Sequence, residues 1–444
     1  MSINDSQNKV KDSKGIMSRR DILKLGAAGS VAMAGALSSG KAKAREDGIG
    51  VVKHDSFPLQ VAPTYKRFNE ALSVSAVEYS KGNYYDTLKV VDDTIPGFGT
   101  VDHAIRVGAE MFNFVEVGER LNPYGAFPLV IEPQPINEGF KFQSSEEAHA
   151  KIKRAARMYG ADIVGITRRD PRWDYSHVFN DNTLESKSWE EAMGFEPKTV
   201  VVMGFAEDYD AFSAAPSAAA DTTADEGYAR MAKAALELAH FFSALGCKAA
   251  ACGNGGGLSV PYAIAAGLGE SNRMGLLQNY KFASRLRIAK VYVDLELDEY
   301  FDKPVTFGVQ SFCENCMHCA DNCPGKAIPR DIKPSLNPPP ADDGSERYYN
   351  NPGVYKWWVR CDKCYQYWVD SGTGCGTCVT TCPYNKPDFW HHRLIDRVNT
   401  ILPGFMHAFM AEMDLWHGYG NVFDPEAVKT FYDQSGRNYS GMGD

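Results

Sequence analysis

The cysteines are the feature that most limits what this chain can fold into. Nine of the eleven fall between residues 313 and 382. The first cysteine run, CENCMHCADNCP from Cys313 to Pro324, has the spacing C-x2-C-x2-C-x3-C-P. The second cysteine run, CGTCVTTCP from Cys375 to Pro383, keeps only the last three cysteines of that pattern, and Gly372 stands in place of the first. Such tight clustering favours metal ligation over disulfide bonds.

The spacing of the first run is typical of [4Fe–4S] binding, in which three cysteines bind one cluster and the fourth binds its neighbour. A structural zinc site would usually stop at paired C-x2-C motifs. One cluster is therefore predicted at Cys313, Cys316, Cys319 and Cys382. The second is predicted at Cys323, Cys375 and Cys378, with Cys364 as the first candidate for its fourth ligand and Cys361 as the alternative.

The two remaining cysteines, Cys247 and Cys252, stand among apolar residues, and we expect them to be buried as small hydrophobic side chains.

The amino-terminal segment, residues 1–44, is predicted to be a twin-arginine export signal. Arg19 and Arg20 precede an Ala/Gly-rich apolar stretch over residues 22–37, and residues 42–44 form a small-x-small cleavage site. This segment carries a net charge of +5, which leaves −14 for the rest of a chain whose total is −9. Because nucleic-acid affinity depends on Lys and Arg at phosphates, the acidic body argues against a nucleic-acid partner.

The alternation of helical and strand patterns between residues 144 and 305 predicts an α/β layered domain. Helices are expected at 144–160, 225–246 and 259–269, the last with Ser259 as its cap, and strands at 161–167, 198–205, 247–254 and 287–297. The predicted organisation is a leader (1–44), an N-terminal wrapping segment (45–143), the α/β domain (144–305), an iron–sulfur domain (306–390) and a helical tail (391–444).

From Arg19 to about Trp390 the chain resembles the catalytic subunits of respiratory reductive dehalogenases. The resemblance rests on the twin arginines, the first cysteine run and the spacing C-x10-C-x2-C-x3-C-P that begins at Cys364. Two long stretches, 252–277 and 281–297, add to it. It implies a nitroreductase-like α/β domain that binds a cobalamin-type corrinoid, followed by a bacterial ferredoxin-like domain with two [4Fe–4S] clusters.

The resemblance also implies a chemistry and a set of residues for it. A two-electron reduction would cleave a carbon–halogen bond at a Co(I) corrinoid supplied by the clusters, as the terminal step of organohalide respiration. The cobalt would have no protein histidine ligand; the chain lacks D-x-H-x2-G, and His103 does not fit that motif. The implied catalytic residues are Tyr228, Asn254 and Arg287, and the implied cofactor-binding residues are Gly253, Asn254, Gly255, Gly256 and Trp368.

Tyr228 would donate the proton that the carbon takes up. Because a free phenol has a pKa of about 10, a nearby cation is needed, and Arg287 can supply it without losing its own charge. Asn254 would orient the phenol or the halogen. Without the resemblance, these three would be taken as a packing aromatic, a surface charge and a turn residue.

The implied partners are an organohalide substrate, a small membrane-anchor subunit, a quinol-linked electron donor and a possible second copy of the chain. The implied location is the outer face of the cytoplasmic membrane, with peripheral attachment. One alternative is a corrinoid enzyme like epoxyqueuosine reductase, a cytosolic tRNA-modifying enzyme, which the export signal and the acidic body oppose. The other is an exported ferredoxin-type electron carrier, which would bind no corrinoid.

Overall fold

The computed structural model describes residues 51–65, 67, 91–105, 128–180, 185–340, 342, 344, 352–390, 392, 395–396, 402, 404–434 and 436–442. The predicted leader and much of the predicted wrapping segment lie outside these ranges, so the structure does not bear on them. None of the described helices is both long and apolar enough to cross a membrane.

The strands are β1 (Val52–Lys53), β2 (Leu129–Ile131), β3 (Ile163–Arg168), β4 (His177–Asn180), β5 (Glu185–Ser188), β6 (Thr199–Ala206), β7 (Ala249–Cys252), β8 (Glu270–Ser271), β9 (Leu277–Gln278), β10 (Leu286–Val293) and β11 (Val305–Thr306). The helices are α1 (Ser145–Met158), α2 (Trp189–Met193), α3 (Tyr209–Ser213), α4 (Ala218–Ala244), α5 (Ser259–Ala265), α6 (Val309–Asn315), α7 (His318–Asp321), α8 (Cys361–Ser371), α9 (Thr377–Thr380), α10 (Gly404–Trp416) and α11 (Pro425–Asp433).

A five-stranded sheet organises the first part of this structure, with strand order β2-β7-β10-β6-β3. Every neighbouring pair in it is antiparallel. The central pair is long and in continuous register, from Leu286 opposite Ala206 to Val293 opposite Thr199. All eight residues of β6 are buried, as expected for a strand covered on both faces.

Helices and loops cover both faces of the sheet. On one face, α1 and α4 pack against residues such as Ile166, Met203 and Val291. On the other face, α5 and the indole rings of Trp173 and Trp189 form a second apolar core. The layered α/β arrangement predicted from the sequence is therefore confirmed.

The predicted helices and strands of the sheet domain are present, although α5 ends at Ala265 and β10 ends at Val293, each four residues before the predicted end. Two further corrections concern the starts of helices. Helix α4 begins at Ala218, earlier than expected, because the Ser217 side chain accepts a hydrogen bond from the Ala220 N–H. The prediction that Ser259 caps α5 is wrong: Leu258 occupies the cap position, and the Ser259 hydroxyl instead contacts the Lys290 Nζ at 2.6 Å.

The cysteine-rich part consists of short helices, with α7 and α9 packed together and α10 packed on α6. Helices α10 and α11 lie within residues 391–444, where the sequence predicts a helical tail. Beyond α11, residues 436–442 form a carboxy-terminal strap that returns to the end of β6. The Tyr209 N–H donates to the Asn438 carbonyl at 2.8 Å, and the Asn438 N–H donates to Asp208 Oδ2 at 2.6 Å.

Candidate active site and cysteine groups

Three side chains that the sequence singled out meet at one edge of the sheet. Asn254 Nδ2 donates to the Tyr228 hydroxyl oxygen at 3.2 Å, and Arg287 Nη1 donates to the same oxygen at 3.3 Å. The Arg287 guanidinium also lies 4.4 Å from the centre of the Tyr228 ring. Asn254 is exposed, whereas Tyr228 and Arg287 are half-buried. The arrangement places two donors on one phenol oxygen at the protein surface.

Strand and helix periodicity explain how these residues meet. Alternate residues of β10 face opposite sides of the sheet, so Arg287 shares its face with Ala289 and Val291, which contact α4. Tyr228 lies on α4 and packs against the same apolar core. The residue before it, Gly227, makes room: a Cβ there would lie 2.7 Å from Arg287 Cγ.

A buried carboxylate, that of Glu207, forms an ion pair with Arg287. Glu207 Oε1 lies 2.9 Å from Arg287 Nε, and the Glu207 side chain is only 3% exposed, against 30% for Arg287. Burial raises the pKa of Glu207, while the charges of Arg287 and Arg285 lower it. The Glu207 backbone N–H donates to the Arg285 carbonyl at 3.1 Å, so both the backbone and the side chain of Glu207 have partners.

The glycine loop, residues 253–257, is fixed from its inner side. Fully buried Lys290 donates to the Gly253 carbonyl at 2.8 Å, the Tyr175 hydroxyl to the Asn254 carbonyl at 3.0 Å, and Trp189 Nε1 to the Gly256 carbonyl at 2.7 Å. Gly256 has a φ of 76°, which favours glycine. The loop is therefore a rigid, side-chain-poor surface on which Asn254 is the exposed polar group.

The loop also packs tightly on its inner side at Gly257. A Cβ there would lie 2.5 Å from the Tyr292 hydroxyl and 2.8 Å from the Trp173 carbonyl. A glycine is therefore required at position 257 because the loop backbone packs closely against the protein's own core.

The predicted cysteine ligands fall into two neighbouring sets. The first cysteine group is Cys313, Cys316, Cys319 and Cys382. Burial raises the pKa of the Cys319 thiol well above its ordinary value, and the nearby Cys313, Cys382 and Cys316 thiols raise it further. These thiols do not form a site for one metal ion: within the described residues, no three His, Cys, Asp or Glu side chains are arranged to bind a single ion.

The second cysteine group is Cys323, Cys364, Cys375 and Cys378. Burial raises the pKa of the Cys378 thiol, and the nearby thiols of Cys375, Cys364 and Cys323 raise it further. Cys361 lies one turn before Cys364 on α8 and acts electrostatically on Cys364 and Lys356. Of the two candidates for the missing ligand, Cys364 is the one that packs in the same cluster of side chains as Cys323 and Cys378.

Two glycines explain how Cys364 reaches this group. Gly372 ends α8 in the left-handed conformation, with φ of 73°, and its N–H donates to the Trp368 carbonyl at 2.9 Å. Gly325, two residues after Cys323, lets α8 come close: a Cβ there would lie 2.8 Å from the Lys363 carbonyl. The position that lacks a cysteine is therefore a helix terminus.

Helix α4 connects the second cysteine group with the tyrosine site. Near its start, Asp221 Oδ2 accepts hydrogen bonds from the Gly374 N–H at 2.9 Å and the Thr373 hydroxyl at 3.3 Å, just before Cys375. Tyr228 lies seven residues further along the same helix, which is two turns. Trp368 lies on α8 one turn after Cys364, half-buried beside Tyr365 at 6.2 Å between ring centres.

The sequence reasoning missed the polar residues that support the site, Glu207, Asp221, Lys290 and Arg285. One signal was available for Glu207, since it directly follows the continuous apolar strand β6. Lys290 was also detectable as a charge in the middle of the strand, with apolar residues on both sides.

No family model matches the chain. A tetrachloroethene reductive dehalogenase of Desulfitobacterium hafniense is 39% identical over 330 residues, which cover 67% of this chain and 58% of that protein. Another, of Sulfurospirillum multivorans, is 33% identical over 296 residues, covering 61% and 56%. An epoxyqueuosine reductase of Lactococcus garvieae is 30% identical over 203 residues, covering 40% and 52%. The chain thus spans less than two thirds of the length of these relatives.

Two solved structures have the same fold. The catabolic reductive dehalogenase NpRdhA, in complex with 3-bromo-4-hydroxybenzoic acid, gives a TM-score of 0.64 at 21% identity, covering 86% of this chain and 50% of its own. A reductive dehalogenase structure from which a mechanism for B12-dependent dehalogenation was suggested gives 0.63 at 22% identity, over the same shares. Over two thirds of its length this chain is similar in sequence to a tetrachloroethene reductive dehalogenase, and its fold is that of these two solved structures.

Proposed function

We propose that this chain is the catalytic part of a reductive dehalogenase, which replaces the halogen of an organohalide by hydrogen using two electrons and one proton and releases halide. The observation that carries the proposal is the meeting of Tyr228, Asn254 and Arg287 from three separate elements. The second cysteine group is tied through Asp221 to the helix that bears this tyrosine. The relatives described above make dehalogenation the first activity to test.

The cysteine groups fit two [4Fe–4S] clusters by the chemistry of their donors. Each group supplies four thiols, the number that one such cluster binds. Buried thiols with raised pKa values are poor ligands when protonated, so bound iron would displace their protons. We assign Cys364 as the fourth ligand of the second cluster.

A cobalamin-type corrinoid fits the glycine loop and the polar groups beside it. Three carbonyls of the loop are already bound by the protein, so its outer face is a fixed surface for a flat ring. When bound and reduced, such a cofactor supplies a strong nucleophile and reductant for cleaving the carbon–halogen bond. Trp368, on the helix that carries Cys364, is the aromatic residue we assign to the substrate cavity.

Residues of this chain would donate the proton that replaces the halogen on the substrate carbon. Tyr228 donates it from its hydroxyl, and the donors on that oxygen, Asn254 and Arg287, stabilise the resulting phenolate. The positive charge beside the ring acts in the same direction. Glu207 keeps the guanidinium directed at the phenol, so that the donors are placed before the reaction begins.

Purified, cofactor-loaded protein tests the proposal. We expect corrinoid, about eight irons per chain, and halide release when a reduced dye supplies electrons. Chlorinated ethenes come first, because the curated relatives are tetrachloroethene dehalogenases, with brominated phenols as a second class. Protein that contains iron but no corrinoid would instead support the ferredoxin-type carrier. Reduction of epoxyqueuosine in tRNA without halide release would support the other alternative.

We further propose twin-arginine export to the outer face of the cytoplasmic membrane, with a small membrane subunit and a quinol-linked donor as partners and a homodimer as a possible assembly. Support comes from the sequence of residues 1–44, which lie outside the described structure. Replacing Arg19 and Arg20 by lysine should leave the cofactor-loaded protein in the cytoplasm with its leader uncleaved. Export at the unchanged rate would contradict this pathway.

A further inference from the structure

Arg273 is a buried cation beside the first cysteine group. Its side chain has no solvent exposure. In the described part of the chain, the hydrogen-bond partners of its guanidinium are all carbonyl oxygens: Cys313 at 2.6 Å, Asp331 at 2.6 Å and Pro329 at 2.9 Å. The ring of Trp357 lies 4.8 Å from the guanidinium carbon. The group is thus well bound by dipoles and an aromatic face, but these partners carry no negative charge.

A buried cation bound only by neutral groups is costly to keep in a protein interior. One of the carbonyls that the guanidinium binds belongs to Cys313, a predicted cluster ligand. The distance of 2.6 Å between Arg273 Nη2 and this carbonyl oxygen places the positive charge beside the first cysteine group. A cluster bound by four thiolates is an anion, and it would supply the missing negative charge.

We propose that Arg273 sets the reduction potential of the first cluster, which the first cysteine group would hold, by stabilising its reduced, more negative form. A one-electron reduction adds one negative charge to the cluster and breaks no bond. A fixed positive charge nearby favours that added charge, and burial from water strengthens the effect. Among the predicted cluster ligands, the guanidinium donates to Cys313 of the first group, so we expect the second cluster to depend on it less.

The inference rests on the proposed pair of clusters, and its test is a potential rather than an activity. Wild type, Arg273→Gln and Arg273→Lys are purified with their cofactors, and both clusters are titrated with redox dyes while paramagnetic resonance is recorded. Glutamine removes the charge and lysine keeps it. We expect one midpoint potential to move to a more negative value in the glutamine variant and to stay near wild type in the lysine variant.

Arg330→Gln is the matched control. It makes the same change of charge at the residue between Pro329 and Asp331, whose carbonyls bind Arg273. Arg330, however, is exposed and paired with Asp321, so water and salt screen its charge. Unchanged potentials in iron-replete Arg273→Gln protein would overturn the proposal. If the glutamine variant loses iron while lysine retains it, the charge is needed to hold the anionic cluster, which supports the proposal. Equal iron loss in both variants would assign Arg273 a hydrogen-bonding role and overturn the electrostatic one. Wild type without iron would refute the proposed function itself.

Discussion

Single residues decide the chemistry at the tyrosine site. The Tyr228 hydroxyl oxygen accepts hydrogen bonds from both Asn254 and Arg287, so its phenolate would be stabilised as soon as the proton leaves. General acid catalysis by a positioned side chain contributes a factor of about 10²–10⁴ to a rate. The loss of one hydroxyl should therefore be visible in turnover while the fold remains intact.

Tyr228→Phe removes that hydroxyl and keeps the ring beneath Arg287. We expect halide release to fall about a hundredfold or more, because no other hydroxyl of the set can replace the donor. Corrinoid and iron contents should equal those of wild type. Tyr300→Phe, which changes a tyrosine that is 41% exposed, is the control and should leave the rate unchanged. Full activity of Tyr228→Phe would remove Tyr228 from the mechanism.

Glu207 introduces a pH dependence. Burial raises its pKa, so its carboxylate takes up a proton at a higher pH than an ordinary glutamate would, and the ion pair with Arg287 is lost below that pKa. We expect the wild-type rate to fall on the acid side for this reason. Glu207→Gln cannot titrate, so its rate should be lower at neutral pH, and this acid limb should be absent from its profile of kcat/KM against pH. An unchanged acid limb in the variant would assign that limb to another group.

The three side chains that meet at the tyrosine site could be singled out from the sequence, whereas the contacts of the charges around them could not. Tyr228, Asn254 and Arg287 lie in long stretches that carry the family resemblance. Glu207 and Arg273 are isolated charges with no spacing pattern, and their importance comes from burial and from neighbours distant in sequence. Burial of this kind depends on the complete fold.

At the scale of elements, helix α8 explains the incomplete second cysteine run. The run lacks its first cysteine because Gly372 must end the helix in a left-handed conformation, which other residues adopt at a cost of roughly 1 kcal/mol or more. One helix face then carries Cys361, Cys364 and Trp368, spaced three and four residues apart. The cysteine expected at position 372 is thus replaced by Cys364, about two turns earlier in the same helix.

Two alanine variants distinguish the candidates on this helix. Cys364→Ala should lower the iron content from about eight to about four per chain, because a cluster with three ligands is readily lost. Cys361→Ala should keep about eight. Iron analysis together with the visible spectrum measures both. The reverse pattern would make Cys361 the ligand.

Element positions followed from the sequence more readily than their pairing did. The apolar run of β6 and the capped pattern of α1 gave both elements nearly at their observed bounds. The antiparallel order β2-β7-β10-β6-β3 depends on contacts between distant segments, such as Val130 with Ala250, which no local pattern encodes. Ser259 was misassigned for a similar reason, since its partner Lys290 lies 31 residues away.

At the scale of the whole molecule, Arg285 joins three distant parts of the chain. Its buried guanidinium donates to the Glu207 carbonyl, to Asn385 Oδ1 at 2.7 Å and to the Tyr439 carbonyl at 3.3 Å. These acceptors belong to the tyrosine site, the segment after Cys382 and the carboxy-terminal strap. One side chain therefore connects the cysteine-rich part, the tyrosine site and the strap.

Arg285→Met should lower the melting temperature of the loaded protein by several degrees. Two buried acceptors and one half-buried acceptor lose a donor, and a buried acceptor costs about 1–3 kcal/mol when left without one. Thermal unfolding followed by circular dichroism measures the effect. Arg168→Met is the control, because that side chain is 57% exposed. Equal melting temperatures of the two variants would show that Arg285 does not hold these parts together.

Helix α8 also has a consequence for the order in which the protein is assembled. Among its eleven residues none is fully buried, so apolar packing alone attaches it only weakly. The bond between iron and Cys364 would then be one of the main interactions that attach α8 to the rest of the protein. The backbone amides of α8 should exchange with solvent quickly until iron is bound. Under the twin-arginine export proposed above, a folding check that senses loose helices would detect iron loading directly, and it would retain the chains that have not yet received their metal.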